Sequence, residues 1–248
     1  MIVFVAAAWA DSGPFDHQHA GLATFLRGAV SETGVDYAAL EARRGTLDAY
    51  LAQVKAADPS GFTPAQKLAF YVNAYNGYTL ATVLDAGPPA SIRDLDGGKV
   101  WDTRRFVVGG RELTLNQLEN DEVRKLGDGR VHAVLNCASK GCPPLAPTPL
   151  TATGTEAQLD EAARRWARTN AWTLTGSDLS LSMVFDWYGD DFAEENRGDL
   201  AKVDGKAENA LWFLSRFVDE ATRAKLLSGT LTVGFAPYDW SLNRKGAG

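Results

Sequence analysis

The feature that most constrains the fold is the segment from Thr63 to Leu84, which is predicted to form one long helix. Thr63 can cap the free amides, Pro64 fits the first turn, and Gln66 stands where a capping box requires it. The residues that follow are apolar almost all round, so this helix has no side suited to water. The sequence therefore predicts a central, buried helix that the rest of the chain must cover.

Shorter helical and hairpin patterns flank the central helix. Helical stripes cover residues 15–31 and 36–56, and a second capping box, Thr114 with Gln117, opens a helix to about Leu126. A hairpin is predicted over 105–114, with its turn at Gly109 and Gly110, and a strand over 131–135. A helix follows from about Glu156 to Arg168, capped by Thr155 with Gln158. The remaining predicted elements are a hairpin that joins 172–174 to 179–181, helices at about 206–217 and 219–228, and a strand near 231–235. These elements predict an α+β fold, in which short antiparallel hairpins and a small sheet pack with helices around the buried central helix.

Length and charge limit the classes of protein. A chain of 248 residues, 45% of them hydrophobic, can bury one sizeable core, so a single domain is predicted over residues 11–248. The net charge is −6, and no run of Lys or Arg is long enough to follow a phosphate backbone. The sequence thus predicts no nucleic acid partner and leaves a small molecule or a peptide as the ligand, with the oligomeric state open.

The first ten residues are apolar and too short to cross a bilayer, and they end in the small-x-small pattern Ala8-Trp9-Ala10. This pattern is typical of the end of an export signal, and it favours an exported, periplasmic protein with no transmembrane segment. The basic region that usually opens such a signal is missing. A buried first strand or helix in a cytoplasmic protein is therefore the alternative.

Both cysteines and the only histidine beyond the first twenty residues lie between Val131 and Pro144. The segment is predicted to be an apolar strand that runs into a loop, because Gly141 and the Pro143-Pro144 pair end regular structure. Thiol or imidazole chemistry in this chain must therefore begin here.

One hypothesis is a thiol-dependent hydrolase or acyl transferase. A thiol nucleophile needs a base that ionises it and a third group that orients the base. Cys137, His132 and Glu119 supply these residue types, and Asn136 or Asn73 could donate to an oxyanion. Whether the chain is an enzyme stays open.

The alternative is a non-catalytic binding or structural module. In an oxidising compartment, Cys137 and Cys142 would form a local disulfide. His132 would then be a hydrogen-bonded core histidine, and Arg124 would pair with Glu119 to hold the loop.

Asn73 and Asn76 share one face of the central helix. A buried asparagine needs a fixed partner, so the pair is predicted to hold the backbone of the loop around Asn136 to Cys142, or to donate to an oxyanion. The structural role is the preferred interpretation.

No cofactor or metal is predicted. His132, Cys137, Cys142 and Glu119 could supply four zinc ligands, but zinc sites usually show tighter paired spacing. A nucleophile elbow, a phosphate-binding glycine loop and a dinucleotide fingerprint are missing from the sequence. One aromatic group could line a ligand pocket or fill the core: Trp187, Tyr188, Tyr238 and Trp240.

The chain also resembles the family called domain of unknown function 547. The resemblance covers roughly residues 60–190 and the tail, 231–243. Its motifs are Ala69-Phe-Tyr-Val-Asn-Ala-Tyr-Asn76, Val107-Val-Gly-Gly-Arg-Glu-Leu-Thr-Leu115 with Leu118, Glu119 and Arg124, the segment 131–144, and Tyr238-Asp-Trp-Ser-Leu-Asn243.

The family name implies no activity. The resemblance implies export, since bacterial members often look exported, and it implies a role for the loop that holds Cys137 and Cys142. One departure concerns Asn120, because the family often has a histidine at that position; a catalytic or metal-binding role of that histidine would be missing here. A papain-like or transglutaminase-like relationship would imply a dead enzyme, since the central helix of this chain does not begin with a cysteine.

Overall fold

The computed structural model describes residues 14–193, 200, 203 and 205–246. Residues 1–10, which carry the predicted export signal, lie outside the described residues. The α-helices are α1 Ala20–Leu26, α2 Tyr37–Glu41, α3 Arg44–Ala56, α4 Pro64–Asp85, α5 Val100–Thr103, α6 Leu115–Gln117, α7 Thr155–Thr169, α8 Val184–Trp187, α9 Gly205–Ser215 and α10 Glu220–Leu226. The strands are β1 Val30–Ser31, β2 Gly34–Val35, β3 Phe106–Val108, β4 Arg111–Leu113, β5 Trp172–Thr175, β6 Asp178–Leu181 and β7 Thr232–Phe235.

Shorter helical turns connect these elements. They are 3₁₀ turns at Pro59–Gly61, Ile92–Gly98, Gly129–Ala133 and Gly189–Phe192, and a π-helix at Leu118–Val123. The strands form small sheets: β1 pairs with β2, β3 with β4, and β6 lies between β5 and β7. The α+β class is therefore confirmed. The last strand joins its sheet in parallel with β6, while every other pair is antiparallel within the described residues.

Helix α4 is the centre of the core, as predicted. The Thr63 hydroxyl accepts the amide of Gln66, and the Gln66 side chain accepts the amide of Thr63, so the capping box is complete. Nearly every residue from Leu68 to Leu84 is buried. The helix packs against α3 on one side and against the π-helix on another. Because α4 is covered all round, side chains on it can reach several loops at once.

Two hairpins, β3–β4 and β5–β6, form where the sequence predicts them. The first shows why its turn needs glycine. Phe106 pairs with Leu113, and the turn consists of Gly109 and Gly110, both with positive φ angles of 57° and 73°. A side chain at Gly109 would collide with the ring of Pro59, at 2.8 Å from its Cδ atom. The turn therefore needs glycine for its conformation and also for its close approach to Pro59.

Three predicted helices have different bounds. The stripe over 15–31 forms a helix only over α1, because Gly28 adopts a positive φ of 70° and the chain enters β1. The stripe over 36–56 is divided into α2 and α3. The helix that Thr114 opens widens into the π-helix after Gln117.

The predicted cap of α7 is wrong. Thr155 is the first residue of the helix, and its hydroxyl donates to the carbonyls of Thr151 and Ala152. Gln158 accepts the amide of Thr151 and so does not close a capping box with Thr155. The N-cap is Gly154, one residue before the predicted cap, and it makes no side-chain capping hydrogen bond.

The predicted strand over 131–135 is also wrong. Asp128 accepts the amide of Arg130 and starts the 3₁₀ turn at Gly129–Ala133. The residues from Val131 to Leu135 are all buried, and a short segment that is apolar on every side has no period that distinguishes a strand from a buried turn.

Candidate functional site

Hydrogen bonds from the central helix α4 hold the loop that carries the cysteines. Asn76 donates from Nδ2 to the carbonyl of Val134 at 2.8 Å and accepts the amide of Asn136 at 2.9 Å. Asn73 makes a similar pair of bonds, but to the amide and carbonyl of Leu150, at 3.0 and 2.7 Å. Asn76 therefore holds the predicted loop, whereas Asn73 holds the segment that follows it.

Asn136 organises the loop from within. Its Nδ2 atom donates to the carbonyl of Pro143 at 2.9 Å, and its Oδ1 atom accepts the amide of Ala138 at 3.0 Å and the side chain of Asn243 at 3.0 Å. Ala138 has a positive φ of 63°, which is uncommon for alanine. All side-chain atoms of Asn136 that can form hydrogen bonds are thus used to shape the loop.

The C-terminal segment covers the same loop. The amides of Lys140 and Gly141 each donate at 2.8 Å to carbonyls of Ser241 and Asp239. Tyr238 packs so closely on Gly141 that a Cβ atom there would lie 2.8 Å from its ring. Gly141 is therefore required by the close approach of Tyr238, and the tail becomes one wall of the site.

A cavity of about 340 Å³ lies between this loop, the π-helix and the tail. Aromatic residues from several segments line it: Tyr75, Trp101, Trp187, Tyr188, Tyr238 and Trp240. The polar residues Asn116, Glu119 and His132, the two cysteines, and the apolar residues Leu135, Pro143 and Val184 complete the lining. The aromatic group read from the sequence lies here, and Tyr75, Trp101 and Asn116 were not singled out from the sequence.

Glu119 is buried in this lining, with 6% of its surface exposed. Burial raises the pKa of Tyr75 and of Tyr188 above the usual range, and the neighbouring Glu119 carboxyl group raises both further. The binding-module hypothesis predicts an ion pair between Arg124 and Glu119, and this prediction is wrong. The guanidinium of Arg124 binds Asp191 and Asn120 instead. Glu119 has no salt bridge among the described residues.

His132 is also buried, and its Nε2 atom lies 2.7 Å from a carboxylate oxygen of Asp191. Its ring stacks on Tyr188, with 4.3 Å between the ring centroids. The sequence did not indicate Asp191 as a site residue. Asp191, and not Glu119 as predicted, is the carboxylate that lies next to His132. The only available signal was its place after the aromatic stretch 185–188, which does not by itself indicate a contact 59 residues away.

Cys137 and Cys142 form a disulfide, with 6.2 Å between their Cα atoms. The amide of Cys137 also donates to the sulfur of Cys142. The Cys137 sulfur lies 3.0 Å from the hydroxyl of Ser139 and 3.1 Å from that of Tyr238. The disulfide is therefore part of the cavity wall, and no atom of His132 is bonded to it.

The match to known proteins lies in the segment that forms this site. Residues 59–167 match the model of the family described as Protein of unknown function, DUF547. The resemblance seen in the sequence is confirmed over this segment. The segment includes α4, the π-helix and the disulfide loop, whereas Asp191 and the tail lie beyond it. Neither a curated protein nor a solved structure matches the chain.

Neither a metal cluster nor a membrane-spanning helix is found among the described residues. In the described part of the chain, no group of three or more His, Cys, Asp or Glu residues could hold a metal ion. In the same residues, no helix combines the length and the apolar character needed to cross a membrane.

Proposed function

We propose that this protein is a non-catalytic module that binds a small cationic ligand in the aromatic cavity. The observation that carries the proposal is the position of Glu119. Glu119 is 6% exposed and lies among aromatic rings, where the hydroxyls of Tyr75 and Tyr188 are its neutral hydrogen-bond partners, and it has no salt bridge to a cation among the described residues. Buried carboxylates are usually paired, so a ligand cation would supply the missing partner.

The walls of the cavity fit the same ligand. The faces of Trp, Tyr and Phe rings attract cations through their quadrupole, and quaternary ammonium groups are often bound in aromatic cages. Trp240 packs in the aromatic wall, with its ring centroid 4.4 Å from that of Tyr238 and 5.6 Å from that of Trp187. One cation already lies on this ring, since the Arg93 guanidinium carbon is 4.8 Å from its centroid, so the ligand would use the part of Trp240 that lines the cavity. The nearby charge of Arg124 is already balanced by Asp191, with two hydrogen bonds of 2.6 and 2.8 Å.

The states of Cys137 and His132 support binding over catalysis. A cysteine that is bonded to another cysteine is not a nucleophile. The Nε2 atom of His132 is bonded to Asp191 rather than to a sulfur. The aromatic cavity is therefore more suited to holding a ligand than to attacking one.

The thiol-dependent hydrolase is the second candidate, and one observation favours it. After reduction, the Cys137 sulfur would remain close to the Tyr238 and Ser139 hydroxyls, in a cavity that His132 also lines. Asp191 would then orient His132. This function needs the reduced protein, which separates it from the first proposal.

Calorimetric titration with choline and with its neutral analogue 3,3-dimethylbutan-1-ol tests the binding function. We expect the wild-type protein to bind choline about tenfold more tightly than the alcohol, since the two differ in charge and little in shape. Glu119→Gln should reduce this preference, leaving only the part that comes from the aromatic rings. Glu112→Gln, an exposed position on β4, is the matched control and should retain it. Equal affinities for the two probes, or no binding of either, would contradict the proposal.

The second candidate is tested with the same protein after reduction by dithiothreitol. Hydrolysis of p-nitrophenyl acetate is measured for the wild type and for Cys137→Ala. Turnover that appears only on reduction and is lost in Cys137→Ala would favour the hydrolase over the binding module.

A further inference from the structure

A second cavity lies on the other side of the central helix. Its volume is about 300 Å³, and it shares no lining residue with the aromatic cavity. Helices α1, α4 and α7 and the segment 145–150 enclose it. Its walls are mostly aliphatic: Leu22, Leu26, Val72, Leu80, Leu145 and Leu150.

One cationic side chain lines this apolar space. Arg165, on α7, is 8% exposed. Among the described residues its guanidinium has neither a salt bridge nor a hydrogen bond to protein, and its Nε atom is buried without any partner. Burial lowers the pKa of Arg165 from its ordinary value, against the attraction of Glu161. An arginine stays charged in proteins, so this buried charge has only the attraction of Glu161 and Glu32 to offset its burial, with no direct ion pair among the described residues.

The nearest acidic side chains are occupied elsewhere. Glu161 also lines the cavity, but its carboxylate is half exposed and binds Arg168 at 3.1 Å. Glu32 binds the same Arg168. Asn76 and Gln158, the amides in the lining, use their side chains to hold backbone groups. An anion that enters the cavity would therefore meet the terminal nitrogens of a guanidinium that has no hydrogen bond to protein among the described residues.

We propose that this cavity binds a medium-chain carboxylate, with its apolar chain against the leucine walls and its carboxylate on Arg165. The site is separate from the aromatic cavity and does not depend on the function proposed for it. Since one water fills about 30 Å³ of liquid, the cavity has room for about ten heavy atoms, which is the size of octanoate. A planar guanidinium is also the side chain best matched to a carboxylate.

Titration with octanoate, octan-1-ol and acetate tests this site by calorimetry. Octanoate should bind saturably, acetate should not bind, and octan-1-ol should bind about tenfold more weakly than octanoate, because it lacks the charge. Arg165→Met should weaken octanoate by about tenfold and leave octan-1-ol unchanged. Arg164→Met, on the same helix but 49% exposed, is the matched control and should change neither affinity by more than about twofold.

A second variant keeps the test decisive if Arg165→Met does not fold. Ala146 lines the cavity, so Ala146→Trp should fill it and abolish octanoate binding with Arg165 in place. Glu119→Gln should leave octanoate binding unchanged, which separates this site from the aromatic cavity. The proposal is overturned if octanoate does not bind, or if it binds equally well to Arg165→Met or to Ala146→Trp.

Discussion

The Nε2 atom of His132 and the Oδ2 atom of Asp191 lie 2.7 Å apart and join segments 59 residues apart in the chain. The same carboxylate accepts two hydrogen bonds from Arg124. Burial alone would raise the pKa of Asp191, but the bonds from His132 and Arg124 outweigh it and hold the pKa well below the usual range. Asp191 thus connects the 3₁₀ turn, the π-helix and the aromatic segment behind the aromatic cavity.

Replacement of this carboxylate should destabilise the fold in a pH-dependent way. Asp191→Asn is expected to lower the free energy of unfolding at pH 7 by about 1–3 kcal/mol, since hydrogen bonds to a charged group are lost. The depressed pKa means that the contribution is full above about pH 4, the ordinary aspartate value, and is lost as the pH falls through the folded-state pKa. Urea unfolding at pH 7, 5 and 3 measures the difference. The exposed neighbour Asp190 offers the control Asp190→Asn, and an equal effect of both variants would contradict the account.

The amide of Asn76 should matter more for folding than its small size suggests. Asn76→Ala is expected to cost about 2–4 kcal/mol, because it leaves both the Val134 carbonyl and the Asn136 amide buried without a partner. Denaturant unfolding compares it with Gln53→Ala, an exposed position on α3 that should change stability by less than about 0.5 kcal/mol. A loss equal to that of the control would show that Asn76 does not hold the loop.

His19 should make the protein less stable in mild acid. It is buried against Tyr50, and desolvation lowers its pKa to about 4, from 6.5, in spite of the attraction of Asp16. The unfolded chain therefore takes up a proton at a pH where the folded chain does not. Stability should be full above about pH 6.5 and should fall by about 3 kcal/mol as the pH drops to 4.

His19→Asn removes the titrating group and suits the left-handed backbone at this position, where φ is 51°. We expect the dependence of unfolding on pH between 6.5 and 4 to become flatter in this variant, as followed by thermal melts. His17→Asn is the control, and a wild-type slope that persists in His19→Asn would exclude His19 as its source.

Local chemistry in the sequence was enough to predict much of the scaffold. The capping box at Thr63 gives the start of α4, and the glycine pair at Gly109 gives the turn between β3 and β4. Each of these two sequence patterns depends on contacts between residues a few positions apart, so it can be recognised without knowledge of the tertiary structure. The long apolar helix then makes the α+β arrangement around it predictable, because so large an apolar surface must be covered on all sides.

The candidate site was predictable only in part, because long-range contacts complete it. The disulfide loop was found from Cys137 and Cys142, and the role of Asn76 from its buried position on α4. The approach of Tyr238 to Gly141 and of Asp191 to His132 depends on how the chain returns after the DUF547 segment. The strand predicted over 131–135 is wrong because of tertiary contacts too. They bury every residue of this short segment, so it shows no hydrophobic periodicity that would distinguish a strand from a helical turn.

A Cys137–Cys142 disulfide closes one wall of the proposed binding cavity, and a count of free thiols shows whether it is formed in the protein. The intact mass of protein purified without reductant is measured after alkylation, first as isolated and then after reduction. The account predicts that no cysteine is alkylated before reduction and that Cys137 and Cys142 are both alkylated after it. Two alkylated cysteines before reduction, with Cys137 reacting fast near neutral pH, would contradict the account and favour a thiol enzyme.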